Sequence, residues 1–189
     1  MIERELIDEG TYNATCVGIV DMGTQVSSYA GKEKSSRKIS LTFEVQDETD
    51  SEGKAFLLYK SYNLALSPKA TFAKDLKSWK GVEVPKGKSF NVDTLLLQPA
   101  LITVAHQEAK DGSATYANIT TISAPLKGTK FRKPRTESIS FYMDGKQLDV
   151  ETYDKLSQYM QGKIAESPEF KVLAKNYHSK EVPKTSKKK

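Results

Sequence analysis

Cysteine and histidine are scarce in this chain, and each scarcity closes off a class of function. A single cysteine in 189 residues, Cys16, forbids an internal disulfide and fits a reducing compartment. Inside an alternating strand-like segment it reads as a small buried hydrophobe rather than a nucleophile. The two histidines, His106 and His178, stand far apart with no cysteine or carboxylate at metal-ligand spacing, so neither metal nor cofactor is expected. No GxSxG, Walker, HExxH or dinucleotide fingerprint occurs, and the chain reads as a binder rather than an enzyme. The acidic stretch Asp47-Glu48-Thr49-Asp50 reads as a solvated turn, not a metal site. No run approaches the ~18 apolar residues of a membrane span. The charged start, Met1-Ile2-Glu3-Arg4-Glu5, lacks the apolar core of a secretory signal, so a cytoplasmic, non-membrane protein is expected.

Positive charge is in short supply over the first two thirds only. Residues 1–124 hold 14 Lys and Arg against 16 Asp and Glu, a net of −2, while residues 125–189 hold 15 against 8, a net of +7. A nucleic-acid ligand would therefore need positive charge gathered on one groove or supplied by the C-terminal region.

What is present is a sequence of five strand-like segments interrupted by one helix. The first, residues 10–20, carries Gly18 in its interior, which predicts a bend or bulge. A polar loop is expected over 22–37. The second strand, 38–46, alternates strictly, with Ile39, Leu41, Phe43 and Val45 on one face and Ser40, Thr42 and Glu44 on the other. An acidic turn, 47–53, leads to a third strand over 55–66. Ser67 as cap and Pro68 at the first helical position predict a helix over about 69–80, closed by a left-handed Gly81. Phe72, Leu76 and Trp79 recur on one face of it, so Trp79 is expected in the core rather than against a ligand. Strands four and five, 100–108 and 115–123, flank the hairpin turn Lys110-Asp111-Gly112-Ser113. Strand, strand, strand, helix, strand, strand is the order of an OB-fold, a small Greek-key barrel that holds single-stranded nucleic acid or oligosaccharide. The fold class expected is mainly β: a five-stranded OB barrel with a helix between strands three and four.

The domain organisation follows. Residues 1–125 form the barrel, 126–148 a Gly/Pro/basic linker and 149–178 a helical appendage; 179–189 form a disordered basic tail. In the appendage, Asp149 caps a helix with Tyr153, Leu156, Met160 and Ile164 on one face. Ser167-Pro168-Glu169 starts another with Phe170, Leu173, Ala174 and Tyr177.

Sequence-independent binding of a single strand needs cations along the phosphates and exposed rings on which bases stack. Three clusters offer both. After the first strand, Tyr29 stands among Lys32, Lys34, Arg37 and Lys38, where an OB-fold loop borders the face of strands two and three. The third strand supplies Lys60 and either Tyr59 or Tyr62. Alternation puts the two tyrosines on opposite faces, and the charge on Lys60 makes its face-mate Tyr62 the expected stacking residue. Both tyrosines packed is the alternative. The last hairpin adds His106, Lys110 and Tyr116, with Tyr116 equally suited to a core.

Several stretches resemble a family of bacteriophage early-region proteins that look like OB-fold single-stranded DNA-binding proteins. They are Val20-Asp21-Met22-Gly23-Thr24-Gln25; Arg37-Lys38 opening a strand that ends Phe43-Glu44-Val45; Tyr62-Asn63-Leu64-Ala65-Leu66-Ser67-Pro68-Lys69-Ala70; Asp75-Leu76-Lys77-Ser78-Trp79-Lys80-Gly81; and the hairpin from Val104-Ala105-His106 to Tyr116-Ala117-Asn118-Ile119. The likeness covers about residues 8–135 and extends weakly into Ser167-Pro168-Glu169-Phe170. The resemblance implies a non-catalytic accessory protein of phage DNA replication or recombination in the host cytoplasm. Its expected partners are single-stranded DNA, phage or host replication and recombination proteins, and further copies of itself. Cellular bacterial single-strand binders end in an acidic recruiting tip; this chain ends Lys187-Lys188-Lys189, a departure that puts that recruitment mode in doubt. Two rival readings stand beside it. One is a protein-interaction module working through the helices after Asp149, and the other is an RNA-binding OB protein.

Overall fold

The computed structural model describes residues 5–29, 31–145 and 147–181, and the basic tail expected beyond 181 lies outside them. It is mainly β, with a six-stranded antiparallel sheet and helices toward the C-terminus. The strands are β1 (Gly10–Tyr29), β2 (Lys32–Thr49), β3 (Ala55–Asn63), β4 (Pro99–Glu108), β5 (Thr115–Ser123) and β6 (Ile139–Phe141). They run in the order β3-β2-β1-β4-β5, with β6 pairing β1 off that path. The sheet is not closed into a barrel.

The polar stretch 22–37 is not a loop. β1 runs on to Tyr29 and β2 begins already at Lys32, so the two strands extend through it as a long ribbon. Polarity misleads here because Val26, Ser27 and Ser28 are exposed, and a strand solvated on both faces shows no alternation. At Gly18 the backbone makes a close approach: a β carbon there would sit 2.8 Å from Thr42 Cβ.

Contacts divide the chain into two compact units, and the division cuts both long strands rather than falling at residue 125. The first unit comprises residues up to Ile19 together with Ser40–Ser140. Its core gathers Leu41, Phe43 and Val45 of β2 with Leu58, Ile102, Val104, Ile119 and Ile122. α1 (Thr71–Lys80) contributes Phe72, Leu76 and Trp79, the face that the helical spacing predicts. Trp79 lies 5.4 Å from the Phe43 ring centroid, and its indole N–H donates to the Pro99 carbonyl at 2.7 Å. Gly81 caps the helix at φ 66°, its N–H donating to Lys77 O. The start differs from expectation. Ser67 accepts the Ala70 N–H in a turn of its own, and the helix begins at Thr71 with no side-chain cap. Proline can sit in a tight turn as readily as at a first helical position. A 3-10 turn, Val92–Leu95, leads to β4, which pairs antiparallel with β1 and β5.

The second unit comprises Val20–Ile39 and the residues from Phe141 on. Asp149 caps α2 (Val150–Asp154), as its position predicts, but the helix breaks after one turn. Ser157 then caps α3 (Gln158–Glu166), and Ser167 precedes α4 (Pro168–Glu181) with its hydroxyl accepting the Phe170 N–H. Met160, Ile164 and Leu173 are buried with Phe141 and Met143. Tyr153 stacks at 5.9 Å from Phe141 and 5.0 Å from Phe170.

Candidate nucleic-acid interface

Four of the expected binding side chains, Arg37, Lys60, Tyr62 and His106, already have partners. On β3, alternation sends Phe56, Leu58, Lys60 and Tyr62 inward and leaves Leu57, Tyr59 and Ser61 outward. Tyr62 is therefore core, 3 % exposed, and not a stacking platform. Its ring packs 5.1 Å from Phe72, and its hydroxyl donates to Asp75 at 2.7 Å. Burial and then the Asp75 charge push its pKa well up, so it remains a neutral phenol. Lys60 follows it inward. The ammonium lies 2.8 Å from Asp75, donates to the Thr120 carbonyl at 3.0 Å and sits 5.6 Å from the Tyr62 ring. A lysine can lie along an apolar face when its head finds a carboxylate, which defeats the inference that its charge marks the outer face. Tyr59, 38 % exposed, is the ring on the outer face of β3.

The ribbon cluster changes in a similar way. The Arg37 guanidinium holds both oxygens of Asp21, 3.2 Å from Nε to Oδ1 and with Nη2 on Oδ2. Asp21 is buried and also accepts the Gly23 and Met143 N–H groups. Arg37 is thus a structural cation and not a free phosphate ligand. Lys34 is exposed, with its carbonyl accepting from Ser27 Oγ, and Lys38 is half-buried. The side chains of Tyr29 and Lys32 lie outside the described residues. Glu169 of α4 accepts from the Thr24 N–H and hydroxyl at 2.9 and 2.6 Å.

At the β4–β5 hairpin Tyr116 is 54 % exposed opposite Gln107, and Lys110 is exposed beside Asp111, whose carboxylate accepts from Ser113. His106 does not stand free. Its N–H donates to Glu9 and its Nε2 lies 2.8 Å from the Ile7 carbonyl, so it serves to tie the first residues of the chain to β4.

The segment 126–140, expected as a linker, supplies the feature that sequence reasoning missed. Its residues 132–136 cross the polar face of β2 as a strap, and β6 beyond them pairs with β1. Glu44, fully buried, accepts from Arg132 Nη1 at 2.7 Å, Arg135 N at 2.9 Å and Thr136 N at 2.6 Å. Arg132 also donates to the Gln46 and Val45 carbonyls, and its N–H reaches Gln46 Oε1. Burial alone would raise the Glu44 pKa, but the bonds from Thr136, Arg135 and Arg132 outweigh it and hold the carboxyl below its usual range. The signal available was a cluster of five cations, Lys127, Lys130, Arg132, Lys133 and Arg135, against one carboxylate, Glu137. That the Arg132 side chain would turn inward, and Arg135 meet Glu44 only through its backbone N–H, was not readable from it.

Where the strap ends, Arg135 and Thr136 share an open groove of about 720 Å³ with Phe56, Leu57 and Tyr59 of β3 and with Glu5 and residues 50–54. Its acids are partly occupied: Asp50 accepts from the Glu52 and Lys54 N–H groups, and Glu5 from the Ser51 N–H. Among the described residues no group of three or more His, Cys, Asp or Glu could hold a metal. Burial pushes the Cys16 thiol up to about 12, against a smaller opposing backbone hydrogen bond at Gly18, so it stays protonated at neutral pH. No helix among the described residues is long and apolar enough to cross a membrane. No protein-family model matches the chain, and no curated protein matches it in sequence.

Proposed function

We propose that the chain is a non-catalytic single-stranded DNA-binding protein, largely indifferent to base sequence, built on an OB-type barrel left partly open. The observation that carries the reading is the strand order. β1 pairs with both β2 and β4, β3 and β5 end the path, and α1 falls between β3 and β4 in the chain. α1 touches both β3 and β5, and Lys60 reaches from β3 to the Thr120 carbonyl of β5. An OB-fold is itself a partly open Greek-key barrel, so closure by side chains and a helix is compatible with it. Of the expected contacts, Lys34, Lys38, Lys110 and Tyr116 remain available for a strand, while Arg37, Lys60, Tyr62 and His106 serve as scaffold. The role in phage replication or recombination, in the host cytoplasm, rests on the family resemblance alone.

Fluorescence anisotropy with labelled single-stranded DNA, duplex DNA and RNA at two salt concentrations tests the reading. Single-stranded DNA should bind best, with affinity falling as salt rises. No binding at low salt, or a preference for duplex or RNA, would overturn it. A second reading, recruitment of a replication or recombination protein or of another copy through the C-terminal helices, draws support from two exposed apolar side chains there. Tyr159 is 73 % and Val172 59 % exposed. Light scattering above the mass of one chain, abolished by Tyr159→Ser/Val172→Ser, would favour self-association.

A further inference from the structure

The strap creates a difficulty for any ligand on the face of β2 and β3. Its polar side chains on β2, Ser40, Thr42, Glu44 and Gln46, are all buried, and Glu44 and Gln46 are bonded to the strap. A strand of nucleic acid cannot lie there without displacing Arg132 from a fully buried carboxylate. Yet the same strap turns other cations outward. Lys127, Lys130 and Lys133 are exposed, and none has an ion-pair partner among the described residues. They recur every third residue on a backbone that Arg132, Arg135 and Thr136 anchor on both sides of Lys133. Three residues of chain span at most ~10 Å, short enough for neighbouring lysines to serve one strand. The strap leads to the groove that Arg135 shares with Tyr59, where the ring on the outer face of β3 is open to a stacked base.

We propose that the strap is the phosphate-binding track of this protein, with Lys127, Lys130 and Lys133 contacting the backbone of single-stranded DNA and Tyr59 stacking one of its bases. This rests on the single-strand-binding reading above and replaces the bare sheet face with the segment laid over it. It also eases the charge problem, because a unit whose residues up to 124 are net acidic has three exposed lysines close together on the strap. Arg132 and Arg135 position the track and do not touch the ligand.

The test compares the full-length protein with Lys127→Ala/Lys130→Ala/Lys133→Ala, with Tyr59→Ala, and with Lys69→Ala/Lys74→Ala/Lys88→Ala. The last removes the same charge from exposed positions elsewhere. Binding of a labelled oligodeoxythymidine is followed by anisotropy as salt is varied, with a thermal melt of each variant. The strap variant should bind more weakly and flatten the plot of log affinity against log salt by about 2, since each lost single-strand contact removes ~0.7. Tyr59→Ala should weaken binding roughly 5- to 150-fold while leaving the slope in place. The control variant should keep most of the slope. If wild type binds and the strap variant keeps its slope, or the control loses as much, the track lies elsewhere and this inference fails while the single-strand reading stands. If wild type does not bind at low salt, the single-strand reading fails and takes the strap with it.

Discussion

Both compact units bury a carboxylate of the β1–β2 ribbon against an arginine, but they do so to different ends. In the second unit Asp21 and Arg37 belong to the same ribbon, so their pairing braces two strands that are already neighbours. In the first unit Glu44 binds Arg132, 88 residues away in the chain, and two backbone N–H groups of the same strap. The Arg37 side chain is 38 % exposed against 28 % for Arg132, and Asp21 retains 7 % exposure where Glu44 has none. Water therefore reaches the Asp21 pair more readily than the Glu44 pair. The contrast shows how a cation that looks available in sequence becomes part of the scaffold when an acid is buried opposite it.

The largest expected effect separates the two arginines. Arg132→Ala leaves a buried carboxylate without its cation and should lower stability by ~3–5 kcal/mol. Arg37→Ala, discounted for the exposure of the pair, should cost only ~1–2 kcal/mol. Urea unfolding of both variants checks the order, and equal losses would dissolve the distinction. A second pair of variants probes packing around the two ends of the ribbon. Gly23 sits at φ +67° with a β carbon destined for 2.5 Å from Ser167 Cβ; Gly31, at φ +74°, faces open space. Gly31→Ala should cost ~1–2 kcal/mol for its backbone alone. Gly23→Ala adds overpacking of ~1–3 kcal/mol and should melt at a clearly lower temperature. Similar melting temperatures would mean that α4 yields without cost.

The smallest effect is a pH dependence. Burial by itself would raise the pKa of Glu44 and of Glu169, but hydrogen bonds to the charged forms win and lower both. A carboxyl with a depressed folded pKa contributes stability above its unfolded value, ~4.3, and that stability is lost as pH falls through the folded value. Urea midpoints should therefore be insensitive to these groups from pH 7 to 5.5 and drop below about pH 4.5. Glu44→Gln should blunt that drop more than Glu169→Gln, because Glu44 is the more deeply buried. The reverse order would locate the acid-sensitive tie on α4.

Local pattern made a good part of this legible. The strict alternation of β2 separates Phe43 from Glu44, the 3.6-residue spacing places Trp79 in the core, and Gly81, Asp149 and Ser167 act as the stops and starts their chemistry predicts. These features depend on neighbours a few residues away, so a sequence carries them directly. The ribbon over 22–37 and the inward turn of Lys60 were not legible in the same way. A solvated strand has no alternation to read, and an amphipathic lysine goes wherever an acid such as Asp75 lies in space.

By itself, then, the sequence determined the order of five of the six strands, the one buried helical face, the inert buried thiol and the excess of positive charge beyond residue 124. Tertiary structure alone decided which of Tyr59 and Tyr62 meets solvent, which arginines are consumed, and that the apparent linker is bound to β2. The physical reason is range. Backbone periodicity and capping are settled within a turn or two of chain, whereas a buried charge such as Glu44 is satisfied by whichever cation and N–H groups the fold brings to it.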